Sequence, residues 1–104
     1  MKTAERRAYR RFNVDPLLCR TNPHMDGVCV LRNVSLKGAF FMTPEPPKIG
    51  SKLELEFREE PLEGYCLEGL VVRAEEGRVR GFGIEFEGPH PRILRAVYCS
   101  DGVN

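Results

Sequence analysis

The sequence predicts a small all-β domain: six short strands closed into an antiparallel barrel, with one short helix near the C-terminal end. Two stretches alternate with a period of two. In SKLELEFR, residues 51–58, Leu53, Leu55 and Phe57 fall on one face while Lys52, Glu54, Glu56 and Arg58 fall on the other. In GFGIEFEG, residues 81–88, Phe82, Ile84 and Phe86 alternate with Gly81, Gly83, Glu85 and Glu87. That period marks a strand buried on one side only. The third observation is punctuation. Asp26-Gly27 and Glu76-Gly77 are tight-turn pairs, and Pro44, Pro46, Pro47 and Gly50 fill a longer loop, so neighbouring strands are expected to run antiparallel.

Along the chain, strands are expected at 12–20, 27–34, 38–43, 51–58, 65–75 and 81–88, where β-branched and aromatic residues concentrate between turn signals. Pro89 and Pro91 suit a helix start, and Ile93, Leu94, Val97 and Tyr98 form an apolar stripe, which predicts a helix over about 89–99 that covers the sheet. Six strands in so short a chain make either an open sandwich with exposed edges or a closed barrel, and closure removes the edges. Alternation assigns Phe12, Val14, Val30, Phe40, Leu53, Leu55, Phe57, Val71, Phe82, Ile84 and Phe86 to the core. The chain divides into a basic arm, residues 1–11, too polar to fold by itself, and a single domain over 12–104.

At 104 residues there is room for one core, burying ~65% of the surface that the unfolded chain exposes. The 41% apolar and 30% charged residues are ordinary for a soluble protein. No apolar run approaches the ~20 residues that span a bilayer, so no membrane insertion is expected. The polar, basic N-terminus lacks the apolar block of a secretory signal, which predicts a cytoplasmic location and reduced thiols. Cys19, Cys29, Cys66 and Cys99 are too dispersed for a CxxC pair and read as small buried side chains, the other reading being a zinc site with His24 or His90. No nucleophile, base and orienting group cluster by spacing. The chain therefore reads as a binding protein without catalysis or cofactor.

The charge is segregated. Lys2, Arg6, Arg7, Arg10 and Arg11 stand against Glu5 alone, so the arm carries +4 and leaves −3 on the rest of a chain whose total is +1. Arginine in place of lysine suits an anionic partner with flat, forked acceptor edges such as phosphate or guanine. A solvated tail that keeps the protein soluble is the other reading of the arm by itself. Tyr9, inside the arm, either stacks on a purine or shields the barrel rim.

The segment RNVSLKG, residues 32–38, carries the second pattern. If the second strand continues to Ser35, its period puts Asn33 and Ser35 on one face, and Gly38 opens the next strand after a two-residue turn. An amide and a hydroxyl both donate and accept, and glycine lets a ligand or a turned backbone come close. A plain hairpin turn accounts for the same three residues.

Together, Arg7-x-x-x-Arg11 ahead of a strand and Asn33-x-Ser35-x-x-Gly38 at a strand end resemble the two signature motifs of the PilZ domain family, RxxxR and (D/N)xSxxG. The likeness continues through Phe12-Asn13-Val14, Gly38-Ala-Phe-Phe-Met-Thr43 and Gly81-Phe-Gly-Ile-Glu-Phe86, so it covers nearly the whole chain. The resemblance implies a PilZ-like split barrel with a flexible basic arm that binds the bacterial second messenger cyclic di-GMP. It implies that Arg7 and Arg11 clamp the ligand and that Asn33 and Ser35 contact a guanine or a neighbouring phosphate, with Gly38 giving clearance. Arg6 precedes the motif and reaches toward a second, stacked ligand molecule, while Arg10 points away on an extended arm.

On this reading the chain is a stand-alone receptor that relays the signal by ordering its arm and so changing contact with an effector protein. Motility and exopolysaccharide regulation are outputs at family level. The alternative is a PilZ-fold interaction module that binds no nucleotide. A nucleic-acid polymer is not expected as a partner because the barrel is net acidic. The chain itself is expected to be a monomer or a weak dimer.

Overall fold

The computed structural model describes residues 12–22, 28–88 and 90–102. The arm with Arg6, Arg7, Tyr9, Arg10 and Arg11 lies outside the described residues, as do His24, the Asp26-Gly27 turn and Pro89, and the side chains of Phe12, Val97, Tyr98 and Cys99 are outside the description. The elements are β1 (Phe12–Asn22), β2 (Val28–Val34), β3 (Gly38–Met42), β4 (Lys52–Phe57), β5 (Cys66–Glu76), β6 (Arg80–Phe86) and α1 (Pro91–Gly102). Each expected strand is present with its ends moved by one or two residues. The helix starts at Pro91, whose missing N–H costs nothing in a first turn, and runs on to Gly102.

Every ladder is antiparallel, and the order β1-β2-β3-β6-β5-β4 closes with β4 back on β1. Among the described residues each strand has a ladder partner on either side, which protects strand edges from another chain. The expected short turn at Glu76-Gly77 joins β5 to β6, where Glu76 pairs with Arg80.

The strictly alternating strands behave as their pattern dictates. Leu53, Leu55 and Phe57 of β4 and Phe82, Ile84 and Phe86 of β6 are all buried in one core with Val71 of β5. Phe41 and Phe82, directly paired across β3 and β6, stack at 5.5 Å between ring centroids. Two expected core positions belong elsewhere. Val30 is half-buried and Phe40, though only 7% exposed, is outside the core cluster, because Cys29, Leu31, Ala39 and Phe41 take the inward positions. VCVL and AFF are apolar at both parities, so alternation cannot choose a face there. Val14 is partly buried against the core, while Leu62 from the 58–65 loop and Ile93 from α1 complete it.

Register slips break the alternation at two places. On β2, Leu31 pairs with Leu17 and Phe41, but Asn33 pairs with Asn13 and Phe40, which leaves Arg32 as an extra residue. Opposite Arg32 on β1 lie Val14, Asp15 and Pro16, and Pro16 has no N–H to give to a ladder. The bulge resets the parity of β2, so that Leu31 and Val34 are both buried. The second slip, at Val72 on β5, sets Arg73 opposite Gly83.

Candidate ligand-binding site

The β2–β3 hairpin holds Asn33, Ser35 and Gly38. β2 ends at Val34, so Ser35 belongs to the turn and does not share a strand face with Asn33. The Ser35 N–H donates to the carbonyl of Gly38 at 2.8 Å across the two-residue loop of Leu36 and Lys37. Its hydroxyl donates to the same carbonyl at 3.4 Å and accepts from the Lys37 N–H at 3.4 Å. Only 7% of Ser35 is exposed. Gly38 opens β3 where that strand meets β6: a Cβ there would stand 2.6 Å from the carbonyl oxygen of Ile84. The glycine permits the close approach of two backbones.

The hairpin is held from outside by two further main-chain bonds. Phe86 N–H donates to the Lys37 carbonyl at 2.8 Å and His90 N–H to the Leu36 carbonyl at 3.3 Å. The Tyr65 hydroxyl and His90 Nδ1 are hydrogen-bonded at 2.5 Å. The His90 ring sits edge-on to Phe86 and Tyr65, and burial pushes its pKa below the ordinary histidine value.

Asn33 begins a row that crosses the outer surface of the barrel. Its Cα partner is Asn13 on one side and Phe40 on the other; Phe40 pairs with Gly83, and Gly83 with Arg73. Phe40 alternates with the core residues Ala39 and Phe41, so its ring lies on the outside. There it covers Gly81, where a Cβ would meet the ring at 2.8 Å. The Arg73 guanidinium extends across the bare backbone of Gly83 and stands 5.3 Å from the Phe40 centroid, within cation–π range. An exposed pair with Glu75 at 3.4 Å steadies it. At ~4.8 Å between strands, the row from Asn33 to Arg73 spans ~14 Å.

The family model for the PilZ domain matches residues 5–98. The chain belongs to the PilZ domain family. Solved structures share the fold, among them the following two. One is the Bacillus subtilis inhibitor of motility MotI/DgrA, with a TM-score of 0.67 and 19% identity, covering 97% of this chain and 51% of that one. The other is the PilZ domain of Escherichia coli YcgR with c-di-GMP, with a TM-score of 0.68 and 15% identity, covering 88% and 86%. The chain thus spans about half the length of the Bacillus subtilis protein. No curated protein sequence matches it.

PilZ domains are binding modules. Of the residues expected at the PilZ site, Asn33, Ser35 and Gly38 share one hairpin, while Arg6, Arg7 and Arg11 lie outside the described residues. The register nonetheless fixes where the arm joins the barrel: Phe12, the residue after Arg11, pairs with Val34, next to Ser35. Phe40 and Arg73 were not expected here. The outward glycines Gly81 and Gly83 were the signal available for them, because a strand with no side chains on one face leaves that surface to its neighbours.

A groove of about 340 Å³ over β4, β5 and the end of β6 is lined by Lys52, Leu53, Glu54, Glu68, Gly69 and Glu87. Its three carboxylates outnumber Lys52, which is paired with Glu87 at 3.2 Å. Such a lining repels a nucleotide, and the groove is a poor candidate for an anionic ligand. Among the described residues, no three His, Cys, Asp or Glu side chains converge on a metal position, and no helix is long and apolar enough to cross a membrane.

Proposed function

We propose that this PilZ domain is a cyclic di-GMP receptor that acts by binding alone. The observation that carries the reading is the pairing of Phe12 with Val34. It sets the residue that follows Arg11 opposite Val34, next to the Ser35 turn and at the head of the row that runs from Asn33 to Arg73, which supports a role for Arg7 and Arg11 there. Cyclic di-GMP has two phosphates and two guanines, and the O6 and N7 edge of each guanine accepts an arginine fork. On an extended arm Arg7 and Arg11 are ~13 Å apart, enough to grip different parts of one dinucleotide. Asn33 offers an amide to a base or a neighbouring phosphate, and the Phe40 ring with the Arg73 guanidinium offers a flat, positively charged surface on which a purine stacks. Arg6 is available to a second, stacked ligand molecule.

The arm has little to bury and repels itself at +4, so ligand binding supplies the energy that orders it. The ordered arm is a new surface, and an effector protein that reads it receives the signal. Calorimetric titration with cyclic di-GMP, with GTP and a short oligonucleotide as controls, tests the reading. Saturable heat with cyclic di-GMP alone is expected, reduced in Arg73→Ala. Equal heats for all three polyanions would leave the arm a diffuse electrostatic role, and no heat at all would leave an interaction module.

A further inference from the structure

Cys19 and Cys29 stand directly opposite each other on the β1–β2 ladder. Both turn into the barrel interior, with 0% and 1% of their surface exposed. Directly opposite residues of an antiparallel pair have Cα atoms ~4.5 or ~5.5 Å apart, according to their place in the hydrogen-bond alternation. Both separations fall inside the ~4.4–6.8 Å window of a disulfide. Direction is the usual obstacle to such a bond, and here both side chains enter the same space. The Cys19 thiol donates to the Leu17 carbonyl at 3.5 Å, within its own strand.

We propose that Cys19 and Cys29 are a dithiol that a small peroxide oxidises to an intramolecular disulfide, stapling β1 to β2. One thiolate attacks a peroxide oxygen, the O–O bond breaks, and the leaving hydroxide takes up a proton as water while a sulfenic acid forms. The second sulfur then attacks the first, the S–O bond breaks, a second water leaves and the S–S bond closes. The two thiols give up two electrons and two hydrogens, and hydrogen peroxide is reduced to two waters. The neighbouring Cys29 thiol and burial both push the Cys19 thiol far above its ordinary range, so the closed barrel holds it protonated. Oxidation therefore follows opening of the strand pair. The staple joins the strand that leads out of the arm to the strand that carries Asn33.

The test uses the full chain with Cys66→Ser and Cys99→Ser, so that only this pair remains. After treatment with hydrogen peroxide, the intact mass should fall by two hydrogens, recover with dithiothreitol, and digest to a peptide pair joined at Cys19 and Cys29. For a loop this short, the Tm of the oxidised form should rise by on the order of 10 °C. Adding Cys19→Ser should abolish both changes. If the doubly substituted chain does not fold, the same peptide mapping on the unsubstituted chain decides the matter. The proposal is overturned if both thiols can still be alkylated after a treatment that fully oxidises the exposed Cys66 of the parent chain. Oxygen added to either sulfur with no cross-link overturns it as well.

Discussion

Gly38 approaches the Ile84 carbonyl so closely that a Cβ on it would stand 2.6 Å from the oxygen. The neighbour is backbone in the β3–β6 ladder, where Gly38 pairs with Glu85, and it cannot step aside as a side chain would. Gly38→Ala is therefore expected to cost ~1–3 kcal/mol of stability by forcing the two strands apart. For a domain of this size that lowers the Tm by roughly 4–8 °C per kcal/mol. Thermal unfolding measures it. An unchanged Tm would mean that the glycine is needed for ligand clearance and not for barrel closure.

Asn33 tests the opposite balance. It lies half-buried on the outer face, just past the Arg32 bulge. Asn33→Ala should weaken cyclic di-GMP binding by ~1–3 kcal/mol, since a base edge loses its partner, while stability changes by less than ~1 kcal/mol. Calorimetry and thermal unfolding of the same protein separate the two. Native affinity with a large fall in Tm would return Asn33 to the role of a turn former.

The strands whose sequence alternates strictly were legible in full: Leu53, Leu55 and Phe57, and likewise Phe82, Ile84 and Phe86, face inward as their period demands. Where both parities are apolar, as at Val28 to Leu31 and at Ala39 to Phe41, the face is chosen by pairing with distant strands, and local pattern cannot supply it. The same holds for the site. The motif residues of the hairpin can be read from their spacing, but Arg73 joins Phe40 only because the slip at Val72 sets it opposite Gly83. The Cys19–Cys29 pairing is legible only once the β1–β2 register is known. Leu62 entered the core unannounced because its segment reads as a polar loop, and only closure of the barrel gives that loop an interior to fill.

His90 makes stability depend on pH with a definite sign. Burial lowers its pKa below 6.5, so in the window between its folded value and 6.5 the unfolded chain binds more protons than the folded one. Stability therefore rises with pH across that window. The contribution is complete above 6.5 and is lost as the pH falls through the folded pKa. Protonating the ring makes Nδ1 a donor, so the Tyr65 hydroxyl must then accept from it. An NMR titration of the His90 ring should show a midpoint below 6.5, and His90→Gln, which keeps an acceptor but does not titrate, should flatten this part of the pH profile. A midpoint above 6.5 would contradict burial as the controlling influence.

The arm sets charge against geometry. If Arg7 and Arg11 act as forks on guanine edges or phosphates, Arg11→Lys keeps the charge but loses the bidentate geometry, and its cost should approach that of Arg11→Ala. With hydrogen bonds to a charged group contributing ~1.5–3 kcal/mol, either change should weaken binding roughly 10- to 150-fold. If the arm supplies only diffuse attraction, lysine restores binding and Arg10→Ala costs as much as Arg11→Ala. Moderate salt then removes most of the affinity, since exposed charges are screened over ~10 Å at 0.1 M. Titrating Arg7→Lys, Arg11→Lys and Arg10→Ala with cyclic di-GMP at two salt concentrations distinguishes the cases. The expected result is a large loss for both lysine variants at either salt concentration, with Arg10→Ala close to native. Amide exchange over residues 2–11 should slow on adding the ligand in the parent chain and stay fast in Arg11→Lys. Near-native binding by both lysine variants would reduce the arm to a source of charge.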